Sequence, residues 1–326
     1  MKKYKCFALF SGGLDSVLAV LFMHKLGYEV QPLFFETPFF KADKARLAAN
    51  SIGFELMVHD LTEAHLEMLK NPRYGFGKNM NPCIDCHGLM FKTAGMLMAE
   101  HHVDFLISGE VLGQRPMSQR KDALNAVGKL SEVKDLLVRP LSQKLLADTL
   151  PIREGWVKKD EMLDIQGRGR QRQIEMAAEF GLSDYQSPGG GCLLTDIGYS
   201  RRLKDLLEHN LLELKYIDLL PVGRHFRLSE TAKMIIGRNN DDNEALGKAA
   251  TEEIVFHVAD CTGPLGIVQS TERLSENEIK TAAALVLRYS SKAAETAFVE
   301  YGLNFHLNRR IEVNKMPSSE VEKIQM

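Results

Sequence analysis

The feature that most constrains the fold of this sequence is a glycine-containing turn between two apolar segments. The run Cys6–Phe10 precedes the turn and the run Val17–Met23 follows it, and the turn itself reads Ser11-Gly12-Gly13-Leu14-Asp15-Ser16. This order predicts a buried strand, a tight turn and a helix. The two glycines allow the backbone to approach an anion closely. The amides in the first turn of the helix, together with the helix dipole, favour a phosphate there.

Three polar side chains of the turn extend this prediction. Ser11 and Ser16 add hydroxyl donors, whereas the Asp15 carboxylate would repel a phosphate unless it holds a Mg²⁺ ion that bridges the phosphates. The alternative is a turn without nucleotide, in which Ser and Asp cap the helix. The whole run resembles the signature of the PP-loop ATP pyrophosphatases, which cleave ATP between the α and β phosphates and adenylate an oxygen of their substrate. The resemblance implies ATP at Ser11, Gly12, Gly13, Asp15 and Ser16, with Mg²⁺.

Strand-like and helix-like patterns alternate through the first part of the chain. This alternation predicts an α/β fold, a doubly wound parallel sheet whose ligands lie at the carboxyl ends of the strands. The predicted strands are Lys5–Phe10, Val30–Phe35, Phe54–Asp60, Asp104–Ser108 and Leu136–Arg139, and the predicted helices are Asp15–Leu26, Phe40–Ile52, Leu61–Leu69 and Gly88–His101.

The pattern changes from about Leu203 onward. Short strands with few crossover helices predict a second, smaller α+β domain. We place the domains at 1–200 and 201–326, with Arg201–Leu214 as a linking helix, and expect a poorly ordered tail after Arg310. The predicted elements are strands at Phe226–Leu228, Met234–Ile236, Glu253–His257 and Gly266–Gln269 and helices at Asn243–Ala250 and Glu276–Ser290.

Polar residues follow two of the predicted strands at their carboxyl ends. Glu36-Thr37 occupies the place where PP-loop enzymes hold adenine and ribose, and Phe39 or Phe40 either stacks on the base or packs in the core. The stretch from Ser108 to Gln114, with Ser118-Gln119 and Val138-Arg139-Pro140-Leu141, resembles the PP-loop domain of the tRNA 4-thiouridine synthetases. That resemblance implies that Gly109, Glu110 and Gln114 lie at the nucleotide and acceptor site.

The chain has five cysteines, an odd number that argues against a disulfide scaffold. Cys83 and Cys86 form a C-x-x-C within Asn81–His87, and Cys192 follows the segment Ser187-Pro188-Gly189-Gly190-Gly191. The Asn-Pro-Cys-x-x-Cys stretch resembles the tRNA 2-thiouridylases, in which a cysteine at this place takes part in sulfur transfer. The three cysteines together resemble the iron–sulfur-dependent tRNA thiolases.

Three hypotheses account for these cysteines. The first, which we favour, is a [4Fe–4S] cluster bound by Cys83, Cys86 and Cys192, with one iron free for hydrosulfide. The second is a cysteine pair that passes through a persulfide and a disulfide. The third is zinc or simple packing, although a structural zinc site needs four ligands and His87 is a poor fourth. In the first two hypotheses Cys83, Cys192 and Asp15 are the catalytic residues.

We expect tRNA to be a partner of this chain. The net charge of −2 means that any RNA surface must be local. Six basic residues predict phosphate contacts as a group, although singly each fits a solvated helix entry: Arg115, Arg120, Lys121, Arg168, Arg170 and Arg172.

A second resemblance covers about Leu219 to Tyr301, which is similar to the NFACT RNA-binding domain of ribosome-associated quality control proteins. It is carried by the segments Gly223–Leu228, Ile236–Asn243, Val255–His257 and Ala283–Ala293. The chain departs from that family at Val255, where the family has tryptophan, and at Gly263-Pro264.

Together these patterns predict an ATP-dependent tRNA sulfurtransferase that takes sulfur from a cysteine desulfurase or from free sulfide. The resemblances point to 4-thiouridine through Gly109–Gln119 and to 2-thiouridine through Asn81–Cys86, so the modified atom stays open, as does the oligomeric state. The alternatives are an RNA- or ribosome-binding adaptor that senses ATP and a PP-loop enzyme acting on a small molecule. No apolar run approaches the length of a membrane span, and we expect a cytoplasmic protein with no membrane partner.

Overall fold

The computed structural model describes residues 3–183, 185 and 192–326. The chain divides into two compact units, Met1–Thr195 and Asp196–Met326.

The first unit is built on a parallel sheet. Within the described residues its strand order is β3-β2-β1-β4-β5, and every pairing is parallel. The order reverses direction on either side of β1, which is the switch point where open α/β sheets bind ligands. The strands are β1 Lys5–Leu9, β2 Glu29–Glu36, β3 Met57–Asp60, β4 Phe105–Ser108 and β5 Leu137–Val138; the helices are α1 Leu14–Lys25, α2 Asp43–Ser51, α3 Thr62–Lys70, α4 Cys83–Leu97, α5 Lys121–Ser131, α6 Leu150–Arg153 and α7 Gln171–Glu179.

Alternating side chains of β1 give the two cores of this unit. Cys6 and Ala8 pack on one face with residues of α1 and α2, and Phe7 packs on the other face with residues of α4 and α5. Because both faces are covered, the strand is apolar from Cys6 to Leu9 and does not alternate between apolar and polar residues. The predicted doubly wound sheet is confirmed.

The boundary of α4 differs from the one we predicted. The predicted helix begins at Gly88, but α4 begins at Cys83, so the C-x-x-C lies in the first helical turn. Pro82 takes the N-cap position, where its missing amide costs nothing because that amide has no intrahelical acceptor.

The second unit is an antiparallel sheet with order β11-β10-β8-β9-β7-β6 in the described residues. Its strands are β6 Arg224–Arg227, β7 Ala232–Ile236, β8 Ile254–Val258, β9 Gly266–Ser270, β10 Thr296–Leu303 and β11 Arg309–Asn314, and its helices are α8 Ile197–Glu208, α9 Leu214–Ile217, α10 Asn240–Ala249, α11 Glu276–Arg288 and α12 Ser318–Ile324. The expectation of a poorly ordered tail is wrong: β11 pairs with β10 along its length, and Met316 and Val321 pack in the core with α11.

The Gly-Arg-Asn element of this unit shapes the turn between β7 and α10. Asn239 caps α10 by accepting a hydrogen bond from the Asp242 amide (2.8 Å), and Arg238 pairs with Asp242 (2.7 Å). Asn243 accepts a hydrogen bond from the Leu265 amide at 2.9 Å. The departure at Val255 concerns packing, because this side chain is fully buried in the sheet.

No helix among the described residues has the length and apolar character needed to cross a membrane.

Candidate functional site

The Ser11–Ser16 turn lies at the carboxyl end of β1, where α1 begins. Gly12 has a φ of +75°, and a Cβ there would lie 3.0 Å from the Ala45 Cα of α2, so both its conformation and its surroundings require glycine. The Ser16 hydroxyl donates to the Gly13 carbonyl (2.8 Å), and the Ser11 and Ser16 hydroxyls lie 3.4 Å apart. The Ser16 amide donates to the Gly13 carbonyl (3.0 Å), whereas the Leu14 and Asp15 amides have no intrahelical acceptor, which leaves these two for an anion.

The Asp15 carboxylate is held by residues that are distant in sequence. Its Oδ2 accepts hydrogen bonds from the Gln114 amide (2.6 Å) and from Arg170 (3.0 Å). Gln173 Nε2 donates to Gln114 Oε1 (2.8 Å) and lies 3.5 Å from Asp15 Oδ1. The start of α7 therefore attaches to the turn through Asp15, and the Oδ1 atom has the weaker contacts.

Gly109 serves close packing at the same place. A Cβ on this residue would lie 2.6 Å from the Ser16 amide nitrogen and closer still to the Asp15 carbonyl. The backbone after β4 therefore touches the first turn of α1, and only a glycine fits between them.

Glu110 belongs to a buried network beneath the turn. Its carboxylate accepts hydrogen bonds from Arg139 (2.8 Å) and Ser108 (3.0 Å) and lies 3.1 Å from His87 Nδ1. Burial alone would raise the pKa of Glu110, but the charges and hydrogen bonds of Arg139 and His87 lower it to about 2. Since every one of these contacts is internal, Glu110 supports the site and carries a fixed negative charge. The Nη2 atom of buried Arg139 has no hydrogen-bond partner among the described residues.

The residues after β2 form a closed turn. The Glu36 carboxylate accepts a hydrogen bond from the Ala42 amide (3.1 Å), and the fully buried Thr37 hydroxyl accepts one from the Phe39 amide (3.1 Å). Phe39 is 1% exposed and packs against His65, as does Phe40. Phe39 is thus a core residue, the second of the two roles considered for it.

The three cysteines singled out from the sequence lie on two segments that are hydrogen-bonded to each other through Asn79 and Thr195. Burial first, and then the charges of Cys192 and Cys83, raise the pKa of the Cys86 thiol well above its ordinary value. Burial raises the pKa of Cys192 to about 11, with Cys83 adding to the shift. Cys83 donates a hydrogen bond to Asn81 Oδ1 (2.9 Å), and burial raises its pKa too. The thiols are therefore protonated at neutral pH.

None of the five cysteines forms a disulfide, including Cys6 and Cys261. Within residues 3–183, 185 and 192–326, no group of three or more His, Cys, Asp or Glu side chains is arranged to hold a single metal ion. The glycine run Ser187–Gly191, for which we expect a role in ligand binding, lies outside the described residues.

Three residues of this region were missed by sequence reasoning or given another role. Arg170 was grouped with RNA-contacting cations, but it pairs with Asp15. Gln173 carries no motif, and Asp85 is only a variable position of the C-x-x-C, although its buried carboxylate accepts the amides of Arg73 (2.7 Å) and Tyr74 (3.0 Å). The only sequence feature that could have drawn attention to Arg170 and Gln173 is the basic run around Arg170.

Comparisons with protein families match the two parts of the chain separately. Residues 2–144 match the family described as thiamine biosynthesis protein (ThiI). Residues 223–324 match the NFACT protein RNA binding domain, NFACT-R_2.

A curated relative is the tRNA-specific 2-thiouridylase MnmA of Sulfurimonas denitrificans (strain ATCC 33889 / DSM 1251). It is 34% identical over 116 residues, which cover 31% of this chain and 33% of that protein. The chain thus spans about a third of the length of this relative.

Three solved structures are similar at low identity. A 4-thiouridine synthetase in complex with RNA and ATP is 21% identical and has a TM-score of 0.38; the match covers 56% of this chain and 43% of the synthetase chain. A predicted subunit of tRNA methyltransferase from Methanocaldococcus jannaschii is 17% identical, with coverages of 54% and 75% and a TM-score of 0.36. The C-terminal part of the fibronectin/fibrinogen-binding protein of Streptococcus suis is 13% identical, with coverages of 63% and 94% and a TM-score of 0.29.

The signature turn on a parallel sheet agrees with the first family match, and the antiparallel sheet with its Gly-Arg-Asn turn agrees with the second. The first unit is therefore similar to the ThiI family over residues 2–144, and the second is similar to the NFACT protein RNA binding domain over residues 223–324.

Proposed function

We propose that this protein is an ATP-dependent tRNA sulfurtransferase. The PP-loop domain adenylates a uridine carbonyl oxygen, and the three-cysteine site supplies the sulfur that replaces it. The NFACT-type domain holds the RNA. The observation that carries the proposal is that the two cysteine segments are joined by hydrogen bonds: Asn79, just before Cys83, donates to the Thr195 carbonyl (2.7 Å), and the Thr195 hydroxyl donates to the Cys192 carbonyl (2.7 Å).

The turn supplies the adenylation half of the reaction. Free amides at the start of α1 and the hydroxyls of Ser11 and Ser16 would bind the phosphates. Attack of the uridine oxygen on the α-phosphorus forms the O–P bond and breaks the bond to pyrophosphate. Arg170, at 3.0 Å from Asp15, lies where its charge would stabilise that leaving group.

The residues around Asp15 fit a Mg²⁺ ion. Among the described residues, the Oδ1 atom accepts a hydrogen bond only from Gln173, at 3.5 Å, and with the Ser11 and Ser16 hydroxyls it would offer Mg²⁺ the oxygen ligands that this ion prefers. When bound, Mg²⁺ would offset the negative charge of the phosphates.

The cysteine site supplies the second half. A sulfur at the level of hydrosulfide attacks the activated uridine carbon, forms the C–S bond and releases AMP. Free sulfide supplies this sulfur directly. A cysteine desulfurase instead passes sulfur to one cysteine as a persulfide; its outer sulfur attacks the uridine carbon, a second cysteine then breaks the S–S bond to release the thiolated uridine and forms a disulfide, and an external thiol reduces that disulfide. The neutral thiols must lose their protons before they can bind or carry that sulfur, since only thiolates are ligands and nucleophiles.

The three thiols match an iron–sulfur cluster in number and kind, although in the described residues they are not arranged as a site for a single metal ion. Three thiols, two from the first turn of α4 and one from a distant segment, are the ligands that a [4Fe–4S] cluster with one open iron requires. When bound, such a cluster would hold hydrosulfide at its open iron. Cys83, Cys86 and Cys192 would be its ligands.

The test is to incubate protein prepared anaerobically with ATP, Mg²⁺, tRNA and sulfide. Pyrophosphate release and thionucleosides in the digested tRNA are measured together. We expect both products from the wild type and neither from D15A. Absence of both from the wild type overturns the proposal.

Cysteine variants separate the competing mechanisms. C83S, C86S and C192S should each abolish the thionucleoside, and C261S serves as the matched control because Cys261 is a free cysteine of the second unit. An ATP-sensing adaptor would instead keep its function in all four variants. Iron and acid-labile sulfide in the anaerobic protein support the cluster, and their absence leaves the persulfide route.

A further inference from the structure

Two exposed aromatic side chains lie on the segment that precedes the C-x-x-C. Tyr74 is 45% exposed and Phe76 is 39% exposed. In the described part of the first unit, no other Phe, Tyr or Trp is so exposed. We name residues 73–80 the aromatic loop. Large aromatic side chains usually lie in cores, so such a pair indicates a contact surface.

The aromatic loop is a built structure. Asp85, 5% exposed, accepts hydrogen bonds from the amides of Arg73 and Tyr74 at 2.7 and 3.0 Å. The Gly77 amide donates to the Asn81 carbonyl (2.8 Å). These contacts fix the backbone on which the two rings stand, so little entropy is lost when the rings take up a ligand.

The loop lies between the two cysteine segments. Its anchor, Asp85, is in the same helical turn as Cys83 and Cys86. At its other end Asn79 Nδ2 donates to the Thr195 carbonyl (2.7 Å), and Thr195 in turn donates to the Cys192 carbonyl. The aromatic loop is therefore tied by hydrogen bonds to both segments that carry the three thiols.

The charge around the loop is positive. Arg73, Lys78 and Arg115 are exposed, and their side chains form no ion pair or hydrogen bond with any described residue. Asp85, the acidic residue that contacts the loop in the described part of the chain, is buried, and its carboxylate accepts hydrogen bonds from loop amides. Arg115 is near enough to Cys83 to oppose the rise in its pKa, and Met117 packs against Gly77.

We infer that the aromatic loop is a stacking platform for unpaired bases of the substrate RNA, and that it presents the target uridine to the cysteines. This inference rests on the proposed function and names the element that receives its substrate. Proteins that bind single-stranded nucleic acids stack aromatic rings on the bases and place cationic side chains against the phosphates. A duplex hides its base faces, and a base that reacts must leave the stack.

The test uses the full chain and a tRNA transcript in which 5-iodouridine replaces uridine. Irradiation without ATP or sulfide should crosslink the RNA to the tryptic peptide Tyr74–Lys78, which mass spectrometry identifies. In the double variant Y74A/F76A this crosslink should disappear, and the Kd for tRNA should rise about tenfold. The matched variant Y74F/F76Y keeps both rings and should behave as the wild type.

Three outcomes would overturn the inference. Crosslinks confined to residues 196–326, or a Kd unchanged in Y74A/F76A, would show that the loop does not bind RNA. Loss of sulfur transfer from a protein donor with unchanged RNA binding would assign the loop to that donor. Because the crosslink needs no catalysis, a wild type that crosslinks here but makes no thionucleoside contradicts the proposed function alone.

Discussion

Asp15 belongs to the PP-loop turn, and its carboxylate is hydrogen-bonded to Arg170, just before α7. The partners of this carboxylate therefore affect which ligand the turn can bind. The Arg170 guanidinium lies 3.0 Å from Asp15 Oδ2 and offsets the negative charge of this carboxylate. The same guanidinium can also turn toward an incoming phosphate. In R170A the unpaired carboxylate would repel ATP. We expect the Kd for ATP, measured by calorimetry, to rise about tenfold, as for loss of one charged hydrogen bond.

Arg172 gives the matched control for this prediction. It lies two positions further on, is exposed, and pairs with Glu175 and Glu179 on its own helix. R172A should leave the Kd for ATP unchanged. Equal losses in the two variants would mean that the general charge of this segment matters and the contact with Asp15 does not.

Gly109 allows a second residue-level test. In G109A the new methyl would lie 2.6 Å from the Ser16 amide nitrogen, and backbone atoms cannot move aside as a flexible side chain can. We expect the free energy of unfolding to fall by about 1–3 kcal/mol, the usual cost of overpacking, and ATP binding to weaken. G169A, with nothing within 4 Å of its Cβ, should change neither denaturation nor binding by a comparable amount.

Glu110 makes stability depend on pH. Its pKa falls from 4.5 in the unfolded chain to about 2 in the folded protein, so its contribution is complete above pH 4.5 and is lost as the pH falls toward 2. E110Q should reduce the free energy of unfolding at pH 7 by about 3 kcal/mol, since it leaves Arg139 buried without a charge partner.

Urea denaturation between pH 7 and pH 3 checks this prediction. The gap between wild type and E110Q should be constant down to about pH 4.5 and should narrow below it. E55Q, at an exposed glutamate, is the control and should follow the wild type at each pH. A gap that stays constant to pH 3 would contradict the assigned pKa.

At the scale of elements, Asp85 connects α4 to the aromatic loop. The variant D85A removes both acceptors of the Arg73 and Tyr74 amides, so the loop should open more often. We expect faster tryptic cleavage after Arg73 and Lys78. D85N keeps one acceptor oxygen and should give an intermediate rate, and an unchanged rate in D85A would show that other contacts hold the loop.

Elements with strong local signals were predictable. The core strands β1, β2 and β4 and the helix α1 follow from apolar runs and the glycine turn, and their predicted bounds are within a residue or two of those observed. Local sequence patterns did not predict the elements whose formation depends on a partner distant in the sequence. The polar strand β11 has few apolar residues and exists because it pairs with β10, and the first turn of α4 is fixed by the Asp85 contacts.

The candidate site shows the same division across the whole molecule. The sequence suggested that Cys83, Cys86 and Cys192 belong together, by their spacing and by resemblance, and in the structure their two segments are joined by hydrogen bonds. The pairing of Asp15 with Arg170 spans 155 positions and has no local signature. Gly109 and Glu110 stay predicted site residues, and the contacts they make, a close backbone approach for Gly109 and an ion pair with Arg139 for Glu110, could be seen only in the fold.

RNA binding by the second unit should be separable by variants from the ATP and sulfur chemistry of the first. On β10, Phe298 is 42% exposed and Arg310 lies 4.4 Å above its ring, an arrangement that suits a base and a phosphate. F298A should raise the Kd for tRNA between about fivefold and a hundredfold by loss of stacking, and should leave the Kd for ATP unchanged.

The reciprocal variant and a control complete this test. C83S should abolish thionucleoside formation while the Kd for tRNA stays that of the wild type, because the thiol is bonded to Asn81 within the first unit. L303A removes an exposed side chain from the same strand, and since residues five positions apart point to opposite faces, tRNA binding should not change. If F298A instead weakened ATP binding, or C83S weakened tRNA binding, the two activities would be coupled between the units and the proposed division of labour would be wrong.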